Sequence, residues 1–98
     1  VHPFAGSAYS TSKAALSGLT REMAVELAQL GVRVNAVAPG EIKTEMISAE
    51  YESLIPRIPL ERMGTTDDVA GTVFQLCSDD FSYVTGTEVF VTGGQHLY

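Results

Sequence analysis

The 98-residue sequence predicts an α/β arrangement in which two helices alternate with two strands of a parallel-type sheet. Three observations carry that expectation. Leu16, Leu19, Met23, Leu27 and Leu30 recur at spacings of three and four, the mark of an amphipathic helix. The run from Val32 to Ala38 is largely apolar and stops at Pro39-Gly40, as a strand covered on both faces does. A second helix-like run at about 67–77 is followed by a second strand-like run at 88–92, closed by Gly93-Gly94.

The first helix is expected over about 11–29. Beside its stripe of large apolar residues, Ala14, Ala15, Gly18, Ala24 and Ala28 form a second region of small side chains. Two such surfaces predict packing on two sides, against a sheet and against a partner. Gly31 suits the helix end, because glycine accepts the left-handed conformation needed there. In the strand at 32–38, Val32, Val34, Ala36 and Ala38 alternate with Arg33, Asn35 and Val37. Pro39 then withholds a ladder donor, and Gly40 permits an unusual turn. Pro-Gly by itself is a turn. A loop at the carboxyl end of a buried strand, however, is where open α/β sheets bind ligands.

Residues 41–64 are less regular. Glu41 to Tyr51 has room for a short helix, and Pro56 and Pro59 interrupt the stretch beyond it. Met46, Ile47, Tyr51, Leu54 and Ile55 among charges suit either a lid over an apolar substrate or a packed connection, and the position favours the lid. Thr66 is expected to cap the second helix, with Asp67 and Asp68 at its positive end. Val69, Ala70, Val73, Phe74, Leu76 and Cys77 form its expected core face. Asp79 and Asp80 read as a solvated turn.

Composition excludes several classes. The formal charge is −6, with only six basic residues, which argues against a nucleic-acid surface. The single cysteine, Cys77, rules out an internal disulfide and fits a reducing compartment. Its apolar neighbours predict a buried small hydrophobe. No apolar run reaches the roughly 18 residues a membrane span needs. No signal peptide is evident, and the chain opens on Val1, which reads as a piece of a longer protein. His2 and His96 stand near opposite ends without a cluster of ligands, so no metal site is expected.

The chemistry-bearing feature is Tyr9-Ser10-Thr11-Ser12-Lys13 at the head of the first helix. Its phenol and ammonium are four residues apart, which puts both on one helical face with Cβ atoms about 5–6 Å apart. A free tyrosine titrates near 10, and a neighbouring cation favours its phenolate. The pair is therefore a plausible proton-transfer device. Taken alone, the pattern is more often a surface lysine beside a half-buried tyrosine.

Tyr9-x-x-x-Lys13, the run Gly31 to Gly40, Thr44, Asp68-Val69-Ala70, Thr85-Gly86 and Gly93-Gly94 together resemble the second half of the short-chain dehydrogenases/reductases. The resemblance covers nearly the whole chain. It implies the carboxyl-terminal part of a doubly wound, Rossmann-type parallel sheet. It also implies hydride transfer between NAD or NADP and an alcohol or a ketone or aldehyde, with Tyr9 as catalytic acid/base. Lys13 would lower the tyrosine's pKa and bond the nicotinamide ribose. Pro39 and Gly40 match the pair that lines the nicotinamide pocket. Ile42 matches the position whose backbone meets the carboxamide, and Thr44 the threonine that contacts carboxamide or phosphate. With Tyr9 and Lys13 these make the implied cofactor-binding set.

The family's glycine-rich phosphate loop, catalytic serine and relay asparagine all belong upstream of its tyrosine and have no match in residues 1–98. Ser7 and Ser10 do not stand at the serine's position. Thr92 departs from the Asp that many members carry before the paired glycines, which bears on local terminal contacts. The expectation is a cytoplasmic oxidoreductase parent that assembles as a homo-oligomer, a dimer or tetramer, with the 98 residues inactive alone. The alternative is a non-catalytic oligomerisation or binding fragment. Gln95 to Tyr98 would either pack on a neighbouring subunit or form a free tail.

Overall fold

The computed structural model describes residues 6–44 and 52–97. These fall into two compact units, drawn from Val1–Ala36 with Tyr83–Glu88 and from Val37–Ser82 with Val89–Tyr98. Its principal elements, in chain order, are α1 (Ser7–Ala28), β1 (Ala36–Pro39), α2 (Thr66–Leu76) and β2 (Glu88–Val91). Short 3-10 turns stand at Ile55–Arg57, Asp79–Phe81 and Gln95–Leu97.

α1 begins four residues ahead of the expected start, so Tyr9 lies inside the helix rather than before it. Gly6 is extended, and its carbonyl accepts the first intrahelical bond from Ser10 N at 3.1 Å. Between Gly6 and Lys13 no proline or glycine interrupts the ladder, and the weak helix preference of serine is overridden by the strong helix-forming run from Ala14 onward. The other end closes as expected at Gly31, with φ +74°. Val32 N donates to Leu27 O at 3.2 Å and Gly31 N to Ala28 O at 2.9 Å, the paired bonds of a Schellman motif.

The face of α1 that packs is the small one. Ala24 and Thr20 are buried, whereas Leu16, Leu19, Met23 and Leu30 of the predicted stripe are exposed. The reason is close approach to the segment before β2. A Cβ placed on Gly86 would lie 3.4 Å from Ala24 Cβ, a spacing that leaves no room for a large side chain at position 24. Leu16, Leu19 and Leu30 are left exposed, and Leu27 is half-buried.

β1 and β2 run parallel, with Ala36 N donating to Thr87 O at 2.9 Å and Gly40 N to Val91 O at 3.0 Å. The regular strand is shorter than the expected 32–38 because side chains replace the ladder at its start. Val34 N donates to Thr85 Oγ1 at 3.0 Å, and Asn35 Nδ2 donates to Val84 O at 3.0 Å. Asn35 Oδ1 in turn accepts from Thr87 N at 3.1 Å. Pro39 is the last residue of β1, a place where its missing N–H costs the ladder little. β2 likewise ends at Val91, one residue short of the expected 92.

In the second unit Leu54, Ile58, Met63 and Leu76 form the buried core. Residues 54–64 of the expected lid region are thus a packed connection, and Ile58, only 2% exposed, is its centre. Met46, Ile47 and Tyr51 lie outside the described residues. Gly93 and Gly94, with φ +64° and +95°, let this connection close in. A Cβ on Gly93 would fall 2.9 Å from Ile58 Cγ2, and one on Gly94 2.8 Å from Pro59 Cγ.

α2 is capped one residue earlier than expected, by Thr65. Thr65 Oγ1 accepts from Asp68 N at 3.1 Å, and Asp68 Oδ2 accepts from Thr65 N at 2.8 Å, a reciprocal capping box. Asp68 also pairs with Arg62 at 2.9 Å. Its carboxyl is held down to about 2, by that side-chain bond first and by the Thr65 backbone and hydroxyl next. Of the expected core face only Leu76 is buried; Val73, Phe74 and Cys77 are exposed. The described chain covers one side of α2 and leaves the other to solvent, so Cys77 is not the buried hydrophobe its neighbours predict.

Candidate active site

The six predicted site residues fall into two local groups. Tyr9 and Lys13 belong to the first unit and share one exposed face of α1. The helix alone brings them together, since positions four apart stack one turn above the other. Lys13 Nζ stands 5.5 Å from the centroid of the Tyr9 ring, within cation–π reach. Tyr9 itself is 54% exposed, so its hydroxyl is open to an incoming group. The backbone beneath is fastened locally, with Ser12 Oγ donating to Tyr9 O at 2.8 Å.

Pro39, Gly40, Ile42 and Thr44 belong to the second unit and follow directly from β1. Their loop is held from two sides. Gly40 N continues the ladder to Val91 O, and Glu41 N donates to Gln95 Oε1 at 3.3 Å. Opposite, Ile42 bridges Gly64 in parallel, with Gly64 N donating to Glu41 O at 2.9 Å and Lys43 N to Gly64 O at 2.8 Å. Gly40 is needed for this geometry, because a Cβ there would meet Thr92 Cα at 3.1 Å and Gln95 Oε1 at 3.0 Å. Beyond the bridge Thr44 is exposed.

Gln95 and Gly64 are the residues that local sequence reasoning misses. Each lies at least twenty positions from the loop it holds, and neither stands in a motif that marks it. The one available signal is Gly93-Gly94, which announces a sharp turn just ahead of Gln95. Thr92, the departure from the resemblance, organises that turn. Its hydroxyl bonds His96 Nδ1 and accepts from Gly94 N at 3.2 Å, while the His96 ring stacks on Phe90 with centroids 4.5 Å apart. Of the two expectations for this end, the free tail is replaced by a short 3-10 turn over Gln95–Leu97.

A cavity of about 220 Å³ also opens in the second unit, among Arg62, Asp68, Thr72, Phe90 and Thr92. None of the six predicted site residues lines it. Among the described residues, no group of three or more His, Cys, Asp or Glu side chains is placed to hold a metal ion. No described helix is long and apolar enough to cross a membrane.

The profile of the family described as Enoyl-(Acyl carrier protein) reductase matches residues 1–96. The chain is 44% identical over 100 residues to Dehydrogenase/reductase SDR family member 4 of Oryctolagus cuniculus, covering 95% of this chain and 38% of the relative. The chain belongs to the short-chain dehydrogenase/reductase family. Protein FixR of Bradyrhizobium diazoefficiens is a more similar relative, 62% identical over 98 residues, covering 99% of this chain and 35% of its own length. In structure, this short-chain dehydrogenase/reductase chain superimposes on acetoin dehydrogenase from Enterobacter cloacae with a TM-score of 0.84 and 48% identity, covering 99% of this chain and 38% of that one. The chain thus spans little more than a third of the length of the relatives it matches. Its four elements are the carboxyl-terminal part of the family's Rossmann-type parallel sheet.

Proposed function

We propose that the protein carrying this chain interconverts an alcohol and a ketone or aldehyde with NAD or NADP, and that Tyr9 is the acid/base. The observation that carries this reading is the Lys13 ammonium 5.5 Å from the Tyr9 ring on an exposed helical face. In the reducing direction Tyr9 Oη gives its proton to the carbonyl oxygen, and in the oxidising direction it takes the proton back. Lys13 stabilises the negative charge that forms on Oη as the proton leaves. The nicotinamide, when bound, supplies or accepts the hydride.

Each of the two local groups, taken by itself, offers contacts suited to such a cofactor. The Tyr9 hydroxyl and Lys13 ammonium are exposed donors suited to ribose hydroxyls, and Thr44 offers an exposed hydroxyl to a carboxamide or phosphate. Pro39, Gly40 and Ile42 would line its nicotinamide end on a loop whose backbone is already fixed. Because the chain spans little more than a third of its relatives' length, residues 1–98 by themselves should be inactive. The single cysteine suits a reducing, cytoplasmic setting.

The test is Tyr9→Phe in the full-length protein, with carbonyl substrates and both cofactors. Loss of turnover by about a hundred- to ten-thousandfold is expected, with cofactor binding largely retained through the remaining contacts. Unchanged turnover removes Tyr9 from the mechanism.

One observation favours a second role alongside or instead of catalysis. Leu16, Leu19, Met23 and Leu30 are exposed together on α1, an apolar face suited to association. We propose that the protein forms a dimer or tetramer through it. Light scattering of the Leu16→Glu/Leu19→Glu variant should show a smaller species than the parent. An unchanged mass would sink the assignment of this face.

A further inference from the structure

Every described residue of α1 up to Leu16 is exposed, including Tyr9 and Lys13. Ser17 is the first residue of the helix that is not. Its hydroxyl donates to Glu88 Oε2 at 2.8 Å and also lies 3.3 Å from Lys13 O. An ionised carboxylate only accepts, so Glu88 fixes which way the Ser17 O–H points. A charge-assisted bond of this length is among the stronger kinds. Glu88 is the first residue of β2, so the bond joins the strand to the helical turn that carries Lys13.

The spacing gives that tie a purpose. Tyr9, Lys13 and Ser17 stand at i, i+4 and i+8, one stripe of the helix about 12 Å long. A second close approach of α1, Ala24 against Gly86, lies about two further turns away and is a nonpolar contact with no hydrogen-bond direction. A directional bond at Ser17 therefore governs rotation of the exposed end about the helix axis. Reacting groups must be held within about 0.5 Å and 10–20° of the productive geometry.

We infer that Ser17 and Glu88 are positioning residues that set the orientation of the Tyr9–Lys13 turn for proton transfer. The inference rests on the proposed role of Tyr9. Neither side chain touches the reacting atoms, and their effect passes through the helix.

The experiment uses the full-length protein, with Tyr9→Phe as reference. Ser17→Ala and Glu88→Ala should each lower kcat about tenfold while the cofactor KM stays within about twofold. They should also displace the limb of the kcat/KM pH profile that Tyr9→Phe abolishes. The double variant should be no worse than either single one, because both remove the same bond. Glu88→Gln, which keeps an acceptor, and Ser17→Thr, which keeps the hydroxyl, should recover most of the loss. If Tyr9→Phe is inactive but the alanine variants keep their kcat and pH profile, the positioning role is overturned and the function stands. The role is also overturned if the losses add, or if the conservative variants recover nothing. If Tyr9→Phe is fully active, the proposed function itself has failed.

Discussion

The Tyr9–Lys13 turn and the Pro39–Thr44 loop hold the two groups of candidate site residues, and they are built in opposite ways. Helical periodicity sets the first pair, and both residues are exposed on a stretch whose first tertiary side-chain bond among the described residues is at Ser17. The loop takes its shape from residues distant in sequence, with Gln95 on one side and Gly64 on the other. Substitution at the exposed pair can therefore alter chemistry without disturbing packing. Substitution around the loop alters packing first, and chemistry only as a result.

The largest contrast lies between Tyr9 and Ile58. Tyr9→Phe should remove turnover and leave the thermal midpoint within experimental error, because the residue is exposed. Ile58→Ala empties the centre of the second unit and should cost about 2–5 kcal/mol in denaturant unfolding. Equal stability losses for the two variants would end the distinction.

A smaller effect separates two glycines beside the loop. Gly94→Ala must hold φ near +95° and push Cβ against the Pro59 ring, a strain of about 1–3 kcal/mol. Gly64→Ala meets most closely the mobile end of Ile42, Cδ1, which can turn aside. Urea titration should rank Gly94→Ala as the more destabilised. The reverse order would mean that the loop, not the paired glycines, is the tighter joint.

The smallest effect concerns pH. Asp68 has its carboxyl depressed to about 2 by Arg62 and Thr65, below the 3.8 of an ordinary aspartate. A folded-state value below the unfolded one gives stability that is present above the unfolded value and fades as pH falls toward the folded one. The cap of α2 should therefore weaken between about pH 4 and pH 2. Thermal melts of Asp68→Asn should lack that part of the acid dependence. Parallel curves for the two proteins would show that the capping box does not contribute it.

Much of the fold could be read in advance, and the reason is local. The end of α1 at Gly31 needs only a residue tolerant of φ +74°, and the sequence offers a glycine there. The Pro-Gly at the end of β1 is likewise encoded within a few residues, and so is the start of α2, although its cap is Thr65 and not the expected Thr66. The Tyr9–Lys13 pair needs nothing beyond a continuous helix. Errors appeared where burial depends on what else is nearby. Leu16 and Leu19 show ideal apolar spacing yet are exposed, while Thr20 and Ala24 take the buried face because Gly86 comes so close. Cys77 and Phe74 sit among apolar neighbours yet face solvent, since the described chain covers α2 from one side.

By itself, then, the sequence determined the order of helices and strands, the breaks between them, and the phenol–ammonium pair on one helical face. All of these follow from backbone preferences and periodicity within a turn or two. Only the tertiary structure decided which face of α1 is buried and that residues 54–64 form a packed core. It alone assigned Gln95 and Gly64 to the Pro39–Thr44 loop and joined Ser17 to Glu88, 71 positions away. Contacts of that kind depend on how closely distant backbones approach, and that distance is set by packing rather than by any local pattern of residues.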